Sequence, residues 1–145
     1  MLEYARNVLG WANAEHGETN PDAERAVIAP LACSLVEVSD VVRFETGSRI
    51  ASIYQSEASL EGYHCNFGLN AAFAEQLVRG PLRATAFDSA GEVRAVELDA
   101  HPFYVGTLFQ PERAALTGEL PPLVGAFVRA CQSVGDGERP GARPA

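Results

Sequence analysis

The sequence predicts a layered α/β domain, and three observations predict it. Apolar segments with helical spacing and apolar segments with strand character alternate along the 145 residues. Two strand-like segments, Leu82–Phe87 and Val93–Leu98, flank Asp88-Ser89-Ala90-Gly91, a sequence typical of a hairpin turn. Residues 103–109 are short, apolar and rich in aromatic and β-branched side chains, which is typical of a strand covered on both faces. Helices packed on such strands form a layered domain.

Four segments have the apolar spacing and the end signals of helices. Ser48 and Asn70 each stand at a helix start, where their side-chain oxygens can accept a hydrogen bond from the first turn. Pro121-Pro122 stands before the last helix, where the missing N–H costs nothing. The predicted helices are residues 2–9, 48–54, 70–79 and 123–131.

The remaining segments predict strands, one loop and a tail. Residues 27–38 are apolar and β-branched enough for one or two strands, and residues 41–44 have the pattern of the return arm of a hairpin. Residues 11–22 are polar and contain glycine, asparagine and proline, which indicates a loop. Residues 134–145 have the composition of a disordered tail, so we expect a domain over residues 1–133.

Charge and composition exclude several classes of function. The net charge of −8 and pI near 4.8 make nucleic acids and anionic membrane surfaces unfavourable partners, because the field of the protein repels both. The chain contains no lysine. A Walker phosphate loop with its lysine and a Schiff-base lysine are therefore excluded within this sequence.

The cysteines indicate a reducing environment. Cys33, Cys65 and Cys131 are odd in number and widely spaced, which predicts neither a disulfide framework nor a zinc site. We predict no metal and no cofactor. The longest apolar run, residues 27–36, is too short to span a bilayer, and the N-terminus lacks a signal-peptide pattern. These features predict a cytoplasmic protein.

A polar pair follows the predicted strand at residues 103–109. Gln110-Pro111-Glu112 stands where an enzyme would keep acid/base groups, but the Gln110 amide has no ionisation near neutral pH and cannot accept and return a proton. The alternative interpretation of Gln110 is a surface residue after a strand.

His64-Cys65 is the one adjacent imidazole and thiol pair in the chain. An imidazolium beside Cys65 would lower the thiol pKa and make it reactive. Adjacent strand residues point to opposite faces, however, so direct contact between the two side chains is not expected. A buried structural thiol is the alternative for Cys65.

These segments together resemble the C-terminal part of the glutaminase domain of CTP synthase, a class I glutamine amidotransferase family. The residues that carry the resemblance are 2–8, 48–54, 61–70 and 93–112. The resemblance implies a three-layer α/β/α, flavodoxin-like domain whose N-terminal part is missing. The Gly-rich elbow with the nucleophilic cysteine would precede Met1, and none of the three cysteines stands in its position.

The resemblance also assigns site residues. Glu112 matches the glutamate of the family's catalytic triad, and Gln110 replaces the triad histidine. Glu18 matches a glutamate that contacts the amino group of glutamine. Residues 62–66, with Tyr63, His64 and Cys65, stand where the family carries an Arg/His-alternating stretch that helps to hold the substrate carboxylate.

Three functions follow as expectations. The first is a glutaminase-like domain that cannot hydrolyse glutamine, because a general base is missing. The second is a pocket that binds glutamine or another small amino-acid-like ligand, formed by Glu18, Tyr63, His64, Gln110 and Glu112. The third is a different hydrolytic or redox reaction that uses Cys65 or an upstream cysteine. An incomplete sheet also predicts a homo-oligomer formed through an exposed sheet edge.

Overall fold

The computed structural model describes residues 1–137, and these form a mixed α/β domain. Within the described residues the helices are α1 (Leu2–Asn7), α2 (Arg49–Tyr54), α3 (Ala71–Leu77) and α4 (Pro122–Gly137), with a 3₁₀ helix at Pro111–Thr117. The strands are β1 (Glu15–His16), β2 (Ala26–Phe44), β3 (Ala58–Leu69), β4 (Leu82–Phe87), β5 (Val93–Leu98) and β6 (Val105–Thr107).

The six strands form one sheet around the long strand β2. The strand order is β1-β2-β4-β5-β6, and β3 pairs with β2 in addition. β1 runs parallel to β2, whereas β2–β3, β2–β4, β4–β5 and β5–β6 are antiparallel. β2 therefore connects the β3 side of the sheet to the β4–β5 hairpin.

Helices cover both faces of the sheet. On one face Ile50 of α2 and Leu123 of α4 pack with Ala95 of β5. On the other face Tyr4 of α1 packs with Val96, the next residue of β5. Because adjacent strand residues point to opposite faces, the two cores lie on opposite sides of the sheet. The predicted three-layer α/β/α arrangement is confirmed.

Local signals at the helix starts act as the sequence predicts. The Ser48 hydroxyl accepts a hydrogen bond from the Ala51 N–H at the start of α2, and the Asn70 side chain does the same for Ala72 at the start of α3. β4 and β5 have the predicted bounds. Side-chain capping of the orphan N–H groups explains why these short helices begin where they do.

The predicted hairpin between residues 27–38 and 41–44 is wrong. Both segments belong to the single strand β2, whose residues from Val38 to Arg43 pair with β3. Ser39 and Asp40 resemble turn residues but lie within this ladder, opposite Gly62 and Glu61. Pairing with a distant strand therefore overrides the local turn signal.

Two further predictions need correction. The strand expected over residues 103–109 is reduced to the three residues of β6, each only half-buried, because β6 pairs with β5 at the end of the sheet. The loop predicted over residues 11–22 contains the two-residue strand β1, because the backbone there pairs with β2.

The C-terminal helix is longer than predicted. α4 continues to Gly137, beyond the predicted tail boundary at residue 134, and residues 138–145 lie outside the described residues. Within residues 1–137 no helix has the length and apolar character needed to cross a membrane.

Candidate functional site

The Gln110-Pro111-Glu112 motif lies beside strand β3. Gln110 follows the buried Phe109 and forms the N-terminal boundary of the 3₁₀ helix, with Pro111 as its first residue. The Gln110 backbone N–H donates a hydrogen bond to the Gly62 carbonyl over 2.9 Å. This hydrogen bond fixes the start of the 3₁₀ helix against β3 and places residues 110–113 next to the stretch that contains His64.

The side chains of the motif do not form an acid/base pair. The amide oxygen Oε1 of Gln110 accepts a hydrogen bond from Nη1 of Arg113 at 3.5 Å. Glu112 is exposed, and no hydrogen bond within the described residues links its carboxylate to Gln110. The polar partner of Gln110 is therefore Arg113.

Glu37 joins His64 and Arg113. Its Oε1 lies 2.7 Å from Nδ1 of His64, and its Oε2 lies 2.5 Å from Nη2 of Arg113. The hydrogen bond from Arg113, followed by that from His64, holds the pKa of the Glu37 carboxyl below its usual value. The result is an exposed cluster of one carboxylate, one guanidinium and one imidazole at the β2–β3 surface.

A bulge in β2 presents Glu37. The pairing register shifts between Val36, opposite His64, and Val38, opposite Tyr63, so Glu37 is the extra residue of a β-bulge. Its φ of 54° is in the left-handed region, which residues other than glycine rarely adopt. This backbone conformation turns the Glu37 carboxylate toward His64 and Arg113.

Gly62 makes room for Arg113. A Cβ at position 62 would lie 3.1 Å from Cδ and 3.2 Å from Nε of Arg113. The missing side chain at Gly62 therefore allows the Arg113 stem to lie against β3. Arg113 of the 3₁₀ helix therefore supplies a guanidinium next to β3.

Tyr63 faces the interior, away from this cluster. Its ring is buried and contacts Phe109 edge-on, with 6.3 Å between the ring centroids. Burial raises the pKa of the Tyr63 hydroxyl to about 12, and this hydroxyl has no hydrogen-bond partner within the described residues. Tyr63 is thus part of the core, while its neighbour His64 is at the surface.

Cys65 is half-buried and contacts the backbone before the motif. Its thiol donates a hydrogen bond to the Leu108 carbonyl oxygen over 3.4 Å. The other two cysteines are exposed and free, Cys33 on β2 and Cys131 on α4. Within residues 1–137 no cluster of three or more His, Cys, Asp or Glu side chains is arranged to hold a metal ion.

Glu18 lies at the far end of β3. It is exposed in the segment after β1, and its backbone N–H donates to Nδ1 of His16. The His16 ring packs against Phe67, with 5.5 Å between the ring centroids. Phe67 is about 16 Å along the strand from Gly62, given roughly 3.3 Å per residue. The structure brings Gln110 and His64 into one cluster through Arg113 but gives Glu18 no contact with them.

A cavity of about 370 Å³ opens between the end of β3 and strands β5 and β6. Its lining is mainly apolar, with His16, Arg94 and Thr107 as polar contributors and Phe67 and Leu108 among the apolar ones. A second cavity, of about 340 Å³, lies between β6 and α4. Neither cavity is lined by Gln110 or His64.

Sequence reasoning missed Glu37 and Arg113. They are 76 positions apart and meet only because β2, β3 and the 3₁₀ helix converge. Gly62 was the one available signal, because a glycine within a strand often marks a close approach of another group. The bulge at Glu37 had no signal of its own.

Comparison with known proteins relates this chain to one group of enzymes, although no protein-family model matches it. A CTP synthase of Methanopyrus kandleri is 32% identical over 136 residues, which cover 86% of this chain and 25% of that protein. A CTP synthase of Aeropyrum pernix is 31% identical over 141 residues, which cover 90% of this chain and 26% of that protein. The chain thus spans about a quarter of the length of these relatives.

A solved structure has the same fold. It is described as the Trypanosoma brucei CTPS glutaminase domain with bound acivicin, and it superposes with a TM-score of 0.82. The match covers 99% of this chain and 58% of that chain at 24% sequence identity. At this identity the match establishes the fold alone.

Proposed function

Because this chain is related in sequence to the C-terminal part of CTP synthases and has the fold of a CTP synthase glutaminase domain, we propose that it is a glutaminase-like domain that does not hydrolyse glutamine. It is then a pseudoenzyme related to a pyrimidine-synthesising family, and it retains a binding site for a small amino-acid-like ligand. We propose a cytoplasmic location, which its free thiols suit.

The state of Gln110 is the observation that carries this proposal. Gln110 stands at the position that the family resemblance gives to the triad histidine, and its amide oxygen accepts from Arg113. An amide cannot remove a proton from a nucleophile at neutral pH. Loss of a positioned general base typically costs roughly 10²- to 10⁴-fold in rate, and more when that base also activates the nucleophile.

The thiols give no support to a replacement mechanism. Activation of a cysteine requires a base within hydrogen-bond reach of the sulfur. The Cys65 thiol has the Leu108 carbonyl as its partner, whereas Nδ1 of His64 contacts Glu37. We therefore propose a structural role for Cys65. Labelling with a thiol reagent at neutral pH should give a slow reaction at Cys65, and faster labelling there than at the exposed Cys33 would contradict this role.

Binding of an amino-acid-like ligand is supported by the cluster beside the motif. Arg113 and His64 can donate to a carboxylate, and exposed Glu112 lies one residue before Arg113. A ligand that carries both a carboxylate and an ammonium group suits such a mixture of charges. Glutamine and related amino acids belong to this class.

Ammonia release from glutamine tests the loss of hydrolysis. The purified protein is incubated with L-glutamine, and a CTP synthase with an active glutaminase domain serves as the positive control. We expect no ammonia above the protein-free rate from this chain. Turnover by the unaltered chain that stops after thiol alkylation would overturn the proposal.

We also propose self-association through β3. Within residues 1–137 this strand of 12 residues pairs with no strand other than β2, its outer edge receives the Gln110 N–H at Gly62, and Leu60 on it is largely exposed. Unpaired strand edges are templates for pairing with a second chain. Light scattering after size-exclusion chromatography should show a dimer or a larger species, and a monomer at all concentrations would refute this proposal.

A further inference from the structure

Two nitrogen-bearing side chains converge on one internal carboxylate at the β2 bulge. His64 and Arg113 each contact a different oxygen of Glu37, at 2.7 Å and 2.5 Å. Glu37 belongs to β2, His64 to β3 and Arg113 to the 3₁₀ helix, so three elements contribute. Glu37 also adopts a backbone conformation that is unfavourable for its residue type. Backbone strain of this kind is concentrated at functional sites.

The Arg113 guanidinium is divided between two acceptors. Its Nη2 donates to the Glu37 carboxylate, and its Nη1 donates over 3.5 Å to the Gln110 amide oxygen. A guanidinium fork matches the two oxygens of a single carboxylate better than it matches two separate groups. The longer hydrogen bond to Gln110 is near the limit of a hydrogen bond and is easily replaced.

We propose that Arg113 and His64 form a carboxylate-binding site that Glu37 occupies when no ligand is bound. A ligand carboxylate then displaces the Glu37 side chain and accepts hydrogen bonds from the Arg113 fork and from His64. Glu37 acts as an internal competitor that lowers the apparent affinity of the site. This inference rests on the proposed function only for the identity of the ligand as an amino acid.

Exposure and charge support the displacement of the Glu37 side chain by a ligand carboxylate. The Glu37 side chain is largely in solvent, so its departure from Arg113 exposes no apolar surface, while the Arg113 stem stays fixed against Gly62. The net charge of −8 repels multiply charged anions. A ligand with one carboxylate, balanced elsewhere by an ammonium group, avoids this repulsion.

Calorimetric titration with L-glutamine tests the proposal. The Glu37→Gln variant removes the competing charge, and the Glu57→Gln variant removes one exposed charge elsewhere as a matched control. We expect Glu37→Gln to bind L-glutamine about tenfold more tightly than the unaltered chain, within the range typical of coupled sites. The control should bind like the unaltered chain. L-glutamine α-amide, which lacks the carboxylate, should show no gain with any variant.

A second variant identifies the fork. Adding Arg113→Lys to Glu37→Gln keeps the positive charge but removes bidentate geometry, and we expect the gain in affinity to be lost while a cooperative thermal melt is retained. Equal affinity of Glu37→Gln and the unaltered chain, or absence of binding to Glu37→Gln, would overturn the inference. Equal affinity of Glu37→Gln and the unaltered chain overturns the inference but not the loss of hydrolysis, whereas ammonia release overturns the loss of hydrolysis but not the inference, so the two failures are distinguishable.

Discussion

Two charged clusters on opposite parts of the sheet differ in burial. In the β4–β5 hairpin, Arg94 and Asp88 form an ion pair over 2.6 Å with side chains 7% and 10% exposed. At the β2 bulge, Glu37 is 61% exposed and its partners His64 and Arg113 are 53% and 29% exposed. The buried hairpin cluster therefore stabilises the fold of the domain, whereas the exposed bulge cluster is accessible to a ligand.

Burial decides which charged groups can exchange partners. A buried ion whose partner is removed remains without water and without compensation, so the pair behaves as one structural unit. An exposed ion that loses its partner is solvated at little cost. The comparison therefore predicts large stability effects at the hairpin and small stability effects, with large binding effects, at the bulge.

Replacement of Arg94 by Met should give the largest effect. The variant leaves the Asp88 carboxylate largely out of water, with the backbone N–H groups of Ala90 and Glu92 as its remaining partners. We therefore expect a loss of about 3 kcal/mol in the free energy of unfolding, at the low end of the range for a buried ion that loses its charged partner. Urea unfolding followed by circular dichroism measures this loss. Glu92→Gln is the matched control, because Glu92 contacts the same guanidinium but is exposed, and it should lose no more than about 1 kcal/mol. Similar losses in the two variants would contradict the assignment by burial.

Replacement of Glu97 should give the second largest loss of stability. Its buried carboxylate accepts hydrogen bonds from the backbone N–H groups of Arg49 at 3.0 Å and Ile50 at 2.8 Å, and so satisfies the first turn of α2. Glu97→Gln leaves one oxygen for two donors and removes the charge, so we expect a loss of about 1–3 kcal/mol. Hydrogen exchange at the Arg49 and Ile50 amides should accelerate, with the exposed Glu119→Gln as control. Unchanged exchange would show that α2 does not depend on this carboxylate.

The pH dependence of stability should follow Asp88. Burial alone would raise the pKa of its carboxyl, but hydrogen bonds from the Glu92 backbone and from Arg94 outweigh burial and lower it. In the window below the unfolded-state value of about 3.9 the unfolded chain binds more protons. The Asp88 contribution is therefore complete above that value and is lost as pH falls through the lowered folded pKa.

An Asp88→Asn variant tests this sign. It should be less stable than the unaltered chain at neutral pH, and its stability should fall less steeply in the acid range. Melting temperatures between neutral pH and strong acid measure both slopes. Glu37, whose pKa is also lowered, contributes in the same direction and remains in the variant, so some acid sensitivity should persist. If the melting temperatures of the variant and of the unaltered chain fell in parallel with pH, Asp88 would be excluded as a source of the acid sensitivity.

The parts that sequence predicts are those fixed by neighbours along the chain. Ser48, Asn70 and the turn at residues 88–91 act within a few residues of their position, and their elements have the predicted starts. The continuous strand β2 escaped prediction because its turn-like centre is held by β3, which lies about 20 residues later. The cluster of Glu37, His64 and Arg113 could not be predicted for the same reason, since Glu37 and Arg113 share no local pattern.

Glu37→Gly should give the smallest effect on stability, and it tests directly whether the bulge is strained. Both Glu37→Gly and Glu37→Gln remove the carboxylate, but only glycine removes the unfavourable left-handed conformation at φ 54°. We expect the glycine variant to melt a few degrees above the glutamine variant, since small gains in free energy shift the melting temperature of a domain this size by that amount. Differential scanning calorimetry measures the difference. A glycine variant that melts no higher would mean that the bulge carries no strain. A higher melting temperature would show that the chain retains a destabilising residue at position 37 and that the position serves the site instead of the fold.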